Sequence, residues 1–266
     1  MNKTLFAVDL KANWRVILSV SLIFMIYVLA SIMMYDPDTV EKFEQMLALF
    51  PDGMIKALGF DTLGADLNGY LSHYLYGFIA IIFPLIYVIL IANKLIAKHV
   101  DSGSMAYLLT TPTTRVTVTV TQAVFHVFGL VLIFVIDLGV LIVLSSVKFP
   151  GSLKLTGFLS LNLVTIMTLT VAGGIAFLFS CVCNDSKNSL AYGAGIPTAF
   201  FVFKMISEIS GKLEGFKYVT VFSLIDIDKI LADPFWGVGI ALILFCASIV
   251  LYGAGVVVFN RKSLAI

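Results

Sequence analysis

The chain has 266 residues, 60% of them hydrophobic and 12% charged, with a formal net charge of +1. A soluble domain is nearer half apolar and a quarter charged, so water is not the principal solvent here, and the near-neutral balance gives no case for nucleic acid. The cysteines Cys181, Cys183 and Cys246 are odd in number and lie in or beside apolar segments, which argues against a disulfide scaffold. With no linker or low-complexity tract, the chain reads as one all-α integral membrane domain over residues 1–266.

At the N-terminus, Phe6, Leu10, Trp14 and Ile17 recur at helical spacing, with Lys3, Lys11 and Arg15 on other faces. An apolar stripe flanked by cations predicts a helix lying in the plane of the interface; the plain alternative is a simple start to the first span. Runs of the roughly 20 apolar residues needed to cross a bilayer occur at about 16–34, 73–97, 118–147, 158–182, 190–209 and 236–259. The first run exceeds the roughly 7–15 residues of a signal-peptide core and has no small-x-small cleavage site after it, so it is expected to stay as an anchor.

Between the first two spans, residues 36–69 are too long for a hairpin. Asp38 with Glu41 forms a capping-box pattern ahead of a stripe from Val40 to Phe50, MIKAL follows as a short helical piece, and Gly59 can end it. A small helical cap on the outer leaflet is expected. The third span opens with the β-branched run TRVTVTVTQ, which leaves an interfacial start open, and Pro84 and Pro197 can kink the second and fifth. Lys204 can snorkel to the outer surface. Residues 207–235 hold apolar pieces too short to span, which fit short re-entrant or interfacial helices or a structured loop. Glycines in the fourth, fifth and sixth spans allow close helix packing.

With the N-terminus inside, the cytoplasmic flanks hold Lys3, Lys11, Arg15, Lys94, Lys98, Arg115, Lys187, Arg261 and Lys262 against Asp9, Asp101 and Asp185. The short segments beside the spans weigh most in this rule, and they place both termini in the cytoplasm.

No convergent catalytic set is visible. HExxH and GxSxG are absent, His126 and Asp137 stand eleven residues apart on one span, and Cys181-x-Cys183 supplies too few ligands for a closed zinc site. No metal and no bound cofactor is expected. Asp137, in LIFVIDLGVLIV, should face protein or water because an unpaired charge in hydrocarbon is expensive; it packs between helices, pairs across a subunit interface or touches a transported molecule. The sole Gly-Lys pair, Gly211-Lys212, is followed by Leu213, so the chain has no phosphate-binding GxxxxGK[ST] loop. If it belongs to an ATP-driven pump, the motor is another polypeptide.

The segment KHVDSGSMAYLLTTPTTR, residues 98–115, stands between the second and third spans. Asp101 or Ser102 can cap a short helix over about 102–111, with Met105, Leu108 and Leu109 on one face and Tyr107 on another, ended by Thr111-Pro112. The stretch resembles the acidic-x-Gly-[ST]-x-x-x-Leu-Leu-x-x-Pro-x-x-Arg signature of permease subunits of type-2 ABC exporters. Asp101, Gly103, Ser104, Leu108, Leu109, Pro112 and Arg115 stand at its positions, and many members carry a glutamate where Ala106 stands here.

The resemblance implies six spans with an in-plane N-terminal helix, a permease that dimerises with a second copy or a paralogue, and two separate ABC ATPase subunits that bind ATP and magnesium. It makes residues 98–115 the coupling helix, with Asp101, Gly103, Ser104, Met105, Tyr107, Leu108, Leu109, Pro112 and Arg115 as the contact and CNDSKNS, 183–189, as a smaller second one. Small members of this kind look like exporters of amphipathic peptides, antibiotics or lipids from a bacterial cell membrane. A passive channel or ion-coupled carrier using Asp137, an intramembrane enzyme, and an immunity or scaffold subunit that binds a toxin without moving it stay open as alternatives.

Overall fold

A backbone in lipid must satisfy its own N–H and C=O groups, and this chain does so with helices: among the described residues there is no strand. The computed structural model describes residues 1–35, 49–57, 66–109, 113–209 and 211–263, without the side chains of 52, 57, 109 and 211. Asp38, Glu41, the stripe from Val40 to Leu47, Gly59, Thr111 and Pro112 lie outside the described residues.

In order, the elements are α1 (Lys3–Met34), α2 (Asp52–Ala57), α3 (Leu67–Tyr74), a π-helical turn (Leu75–Ile79), α4 (Ala80–Leu95), α5 (Ala97–Asp101) and α6 (Met105–Leu109). Then come α7 (Arg115–Lys148), α8 (Leu155–Val182), α9 (Ser186–Ile209), 3₁₀ segments Gly211–Val219 and Val221–Leu224, α10 (Ile227–Ala232) and α11 (Pro234–Arg261). Among the described residues, six stretches are long and apolar enough to cross a membrane: α1, α3 through α5, α7, α8, α9 and α11. The N–H of Asn2 donates to Thr121 and Arg115 donates to the carbonyl of Lys262, so both termini meet the end of the bundle where α7 begins.

The sequence places a boundary near residue 16, but α1 runs unbroken for 32 residues, about 48 Å of helix. Its partners change along that length. Asn2, Phe6 and Asp9 all meet one narrow band of α7 (Thr121, Phe125 with Phe128, and Gln122), and Lys94 donates to the carbonyl of Ala12. From Ile17 onward the two helices advance together, through Phe24 with Phe134 to Tyr35 with Phe149.

Other boundaries are corrected in the same way. The helix of the second span begins at Leu67 rather than 73: Asn68, Tyr70, Ser72 and His73 are buried against protein, where Asn68 and His73 find partners. Asn68, for example, donates to the carbonyl of Ser152 and accepts from the N–H of Lys154. The β-branched start of α7 is helical from Arg115. Thr114 caps it by accepting from the N–H of Thr117, and Thr119 and Thr121 donate back to the carbonyls of Arg115 and Thr117.

Lys204 does not snorkel. It is 4% exposed, with Nζ 3.0 Å from Glu208 Oε1 and 3.4 Å from the carbonyl of Gly77 in the π-helical turn. A counter-charge one turn away and a backbone carbonyl within reach make burial tolerable.

The core is centred on α8, which packs against α4, α7, α9 and α11. A Cβ on Gly193 would stand 3.2 Å from the Ala176 backbone, whereas Gly195, Gly239 and Gly253 face open space, so only some of the glycines serve close packing. His126, fully buried, joins three helices. Its Nε2 donates to the carbonyl of Val88 at 2.8 Å, which fixes the tautomer, and its Nδ1 then accepts from the Tyr252 hydroxyl at 2.7 Å. Tyr87 donates to the His126 carbonyl.

Candidate functional site

Between α4 and α7 the chain leaves the bundle and returns, and the local sequence dictates the path. Ile96 departs from helical geometry (φ −123°, ψ −67°), and α5 then makes a single turn. Asp101 is the last residue of α5 and Ser102 its C-cap, so neither caps the following helix as the sequence predicted. Gly103 follows with φ +71°, a left-handed position that glycine occupies at no steric cost and that commonly ends a helix. A Cβ there would meet nothing within 4 Å, so the backbone conformation is the reason for glycine, not space.

Ser104 is turned back to α5, its hydroxyl 2.8 Å from His99 Nδ1 and 2.8 Å from the Ser102 hydroxyl. The short helix therefore starts at Met105, three residues later than the spacing predicts. Met105 is 2% exposed and Leu108 packs half-buried on the core, while Tyr107, 79% exposed, points away from it. Pro112 lies outside the described residues, as does the side chain of Leu109. Arg115, where the chain re-enters, donates from its guanidinium to the carbonyl of Lys262 at 2.7 Å.

Lys262 and Ser180 are the contributors that sequence reasoning missed. Lys262 donates from Nζ to the carbonyls of Cys181 and Cys183, which end α8, and burial holds its ammonium below the usual lysine range. Ser180 bonds to Ala92 and Ala97 on either side of the break at Ile96. The basic flank after the sixth span was a visible signal, but only for orientation. Residues 183–189 open α9: Asp185 accepts from the N–H and side-chain amide of Asn188, bonds that hold its carboxyl below the usual range. Asn93 ties this start to α4 through Ser186 at 2.8 Å.

Asp137 is not part of this cluster. It lies deep in α7, 2% exposed, among Phe24, Val28, Tyr76, Leu141 and Asn162, and neither of its carboxylate oxygens has a hydrogen-bond partner. Among the described residues, cavities also lie elsewhere. One of about 500 Å³ at the opposite face holds His73 and Asp228, 3.1 Å apart, with Asp66 and Lys154. An apolar groove of about 460 Å³ runs between α7, α8 and α11. Among the described residues no three histidine, cysteine, aspartate or glutamate side chains are grouped to hold a metal ion.

A family model described as ABC-2 family transporter protein matches residues 9–264. No curated protein and no solved structure matches the chain.

Proposed function

The chain belongs to the ABC-2 transporter family and is a multi-pass membrane permease, and on that footing we propose that it is the transmembrane subunit of an ATP-driven exporter whose ATPase is a separate polypeptide. In this reading two ATPase subunits, holding ATP and magnesium, dock beneath a permease dimer in a bacterial cell membrane. Both termini are cytoplasmic, and the first turns of α1 lie at the cytoplasmic end of α7. The support for that last point is the narrow band of α7 shared by Asn2, Phe6 and Asp9.

The observation that carries the coupling role is the short helix α6, seated by Met105 and Leu108 and presenting Tyr107 outward between two spans. ATP can drive transport only if the ATPase binds differently to two states of the permease, and a short helix joined to both α4 and α7 is a lever for that difference. The cargo is amphipathic or hydrophobic, a peptide toxin, an antibiotic or a drug-like molecule. Support for this is the scarcity of charge in the spans and the apolar lining of the groove between α7, α8 and α11.

The test is co-purification with an ABC ATPase subunit from the same genome, followed by ATP hydrolysis in lipid vesicles. A stable complex whose hydrolysis rate differs from that of the free ATPase is expected; no complex with the intact chain would sink the reading. Asp137→Asn separates this reading from an ion-coupled carrier. Replacing this unpartnered buried carboxyl by an amide of the same shape should shift thermal unfolding by no more than about 1–2 kcal/mol and leave ATP-driven transport within about twofold. Loss of all transport in that variant would move the function to Asp137.

A further inference from the structure

The segment between α4 and α7 is fastened at both ends to the same turn of the same helix. At its start, the break at Ile96 leaves the N–H of Ala97 outside the helical ladder. Ser180 Oγ, fully buried, accepts from that N–H at 3.0 Å and donates to the carbonyl of Ala92 at 2.8 Å. At its end, Arg115 donates to the Lys262 carbonyl, and Lys262 Nζ in turn donates to the carbonyls of Cys181 and Cys183. Helix α8 has no basic residue in its own last turn, so these terminal carbonyls depend on a lysine from beyond the sixth span.

We infer that the last turn of α8 is the joint through which movement of the coupling helix reaches the rest of the bundle, with Ser180 and Lys262 as positioning residues. This rests on the coupling role proposed above. A five-residue helix hung from two loose strands would absorb a push from below as loop motion. Fastened at both ends to residues 180–183, it passes the push to α8, which packs against four other spans. The same turn leads directly into 183–189, so both segments assigned to the ATPase move with it. Arg115 and Lys262 form one connection in series, and Ser180 forms a second, parallel one.

Series and parallel links have different signatures in combined variants. With the permease–ATPase complex in vesicles, the readout is its hydrolysis rate relative to the free ATPase. Arg115→Ala and Lys262→Met are each expected to reduce that stimulation about tenfold, the double variant no further, and Lys262→Arg to stay within about twofold of the native chain. Ser180→Ala should multiply with either.

A second arm needs no ATPase: amide hydrogen exchange over residues 98–109 of the permease alone should quicken by the same factor in Arg115→Ala, Lys262→Met and the double variant. A double variant that falls to the product of the singles, or exchange that Lys262→Met leaves unchanged, overturns the joint. Failure of the native chain to bind an ATPase overturns the coupling role instead, and the exchange arm still decides the fastening.

Discussion

Replacing Leu108 and Leu109 together with aspartate is expected to cut stimulation of the partner ATPase about a hundredfold while the permease remains inserted. Leu108 packs half-buried against the core beside Met105, which is 2% exposed, so a carboxylate at 108 must either lose its water or lift the helix from its seat. Either choice costs about 3 kcal/mol, the equivalent of a hundredfold change in a coupled equilibrium. Leu108 lies outside the six spans, so the bundle should stay inserted, and the purified permease should still unfold in one cooperative thermal transition. The check pairs ATP hydrolysis in vesicles with unfolding of the same preparation. Native stimulation in a folded double variant would remove α6 from the coupling role. Tyr107→Ala sharpens the comparison, because that side chain faces away from the core and its loss should weaken docking without unseating the helix.

Gly129→Ala is expected to lower the melting temperature by on the order of 10 °C. Alanine is the better helix former by about 1 kcal/mol, so propensity alone predicts a gain. Yet a Cβ at 129 would stand 1.9 Å from the Tyr87 hydroxyl, 2.8 Å from its ring and 3.2 Å from Ile17, where α1, α4 and α7 meet. Tyr87 cannot step aside at low cost: it is fully buried, and its hydroxyl donates to the His126 carbonyl. Overpacking and the lost hydrogen bond together come to about 2–4 kcal/mol after the propensity gain is subtracted. Tyr87→Phe in the same chain removes the nearest atom and should recover part of the loss. A native melting temperature for Gly129→Ala alone would mean that these three helices do not approach so closely.

Much of this architecture is legible without coordinates because lipid imposes a simple rule. A run of about 20 apolar residues is a helix, and the six runs read from the sequence coincide with the six long helices to within a few residues at most ends. The errors fall where protein, not lipid, is the solvent. LNGYLS at 67–72 looks like loop because its asparagine and serine are polar, but they are buried against neighbouring segments. Lys204 looks like a snorkelling lysine because Gly77, its second partner, is 127 positions away.

The coupling segment is recognisable from its glycine, paired leucines and arginine, but its fastening is not. Ser180 and Lys262 reach it across 83 and 147 residues, and no local pattern carries such a pairing. The late start of α6 has a nearer cause: Ser104 commits its hydroxyl to His99 and Ser102, and Gly103 turns the chain first.

The π-helical turn at Leu75–Ile79 gives the second span two phases. Such a turn holds about one residue more than an α-helix would over the same rise, which rotates the half before it by about 100° relative to the half after it. Tyr70 and His73 are thereby set toward Tyr35 and α10 by one phase, and Tyr87 and Val88 toward α7 by the other. A single residue deleted within the turn would leave a longer, more regular helix with its two halves facing the wrong neighbours. This span keeps its contacts at both ends because its periodicity is interrupted once between them.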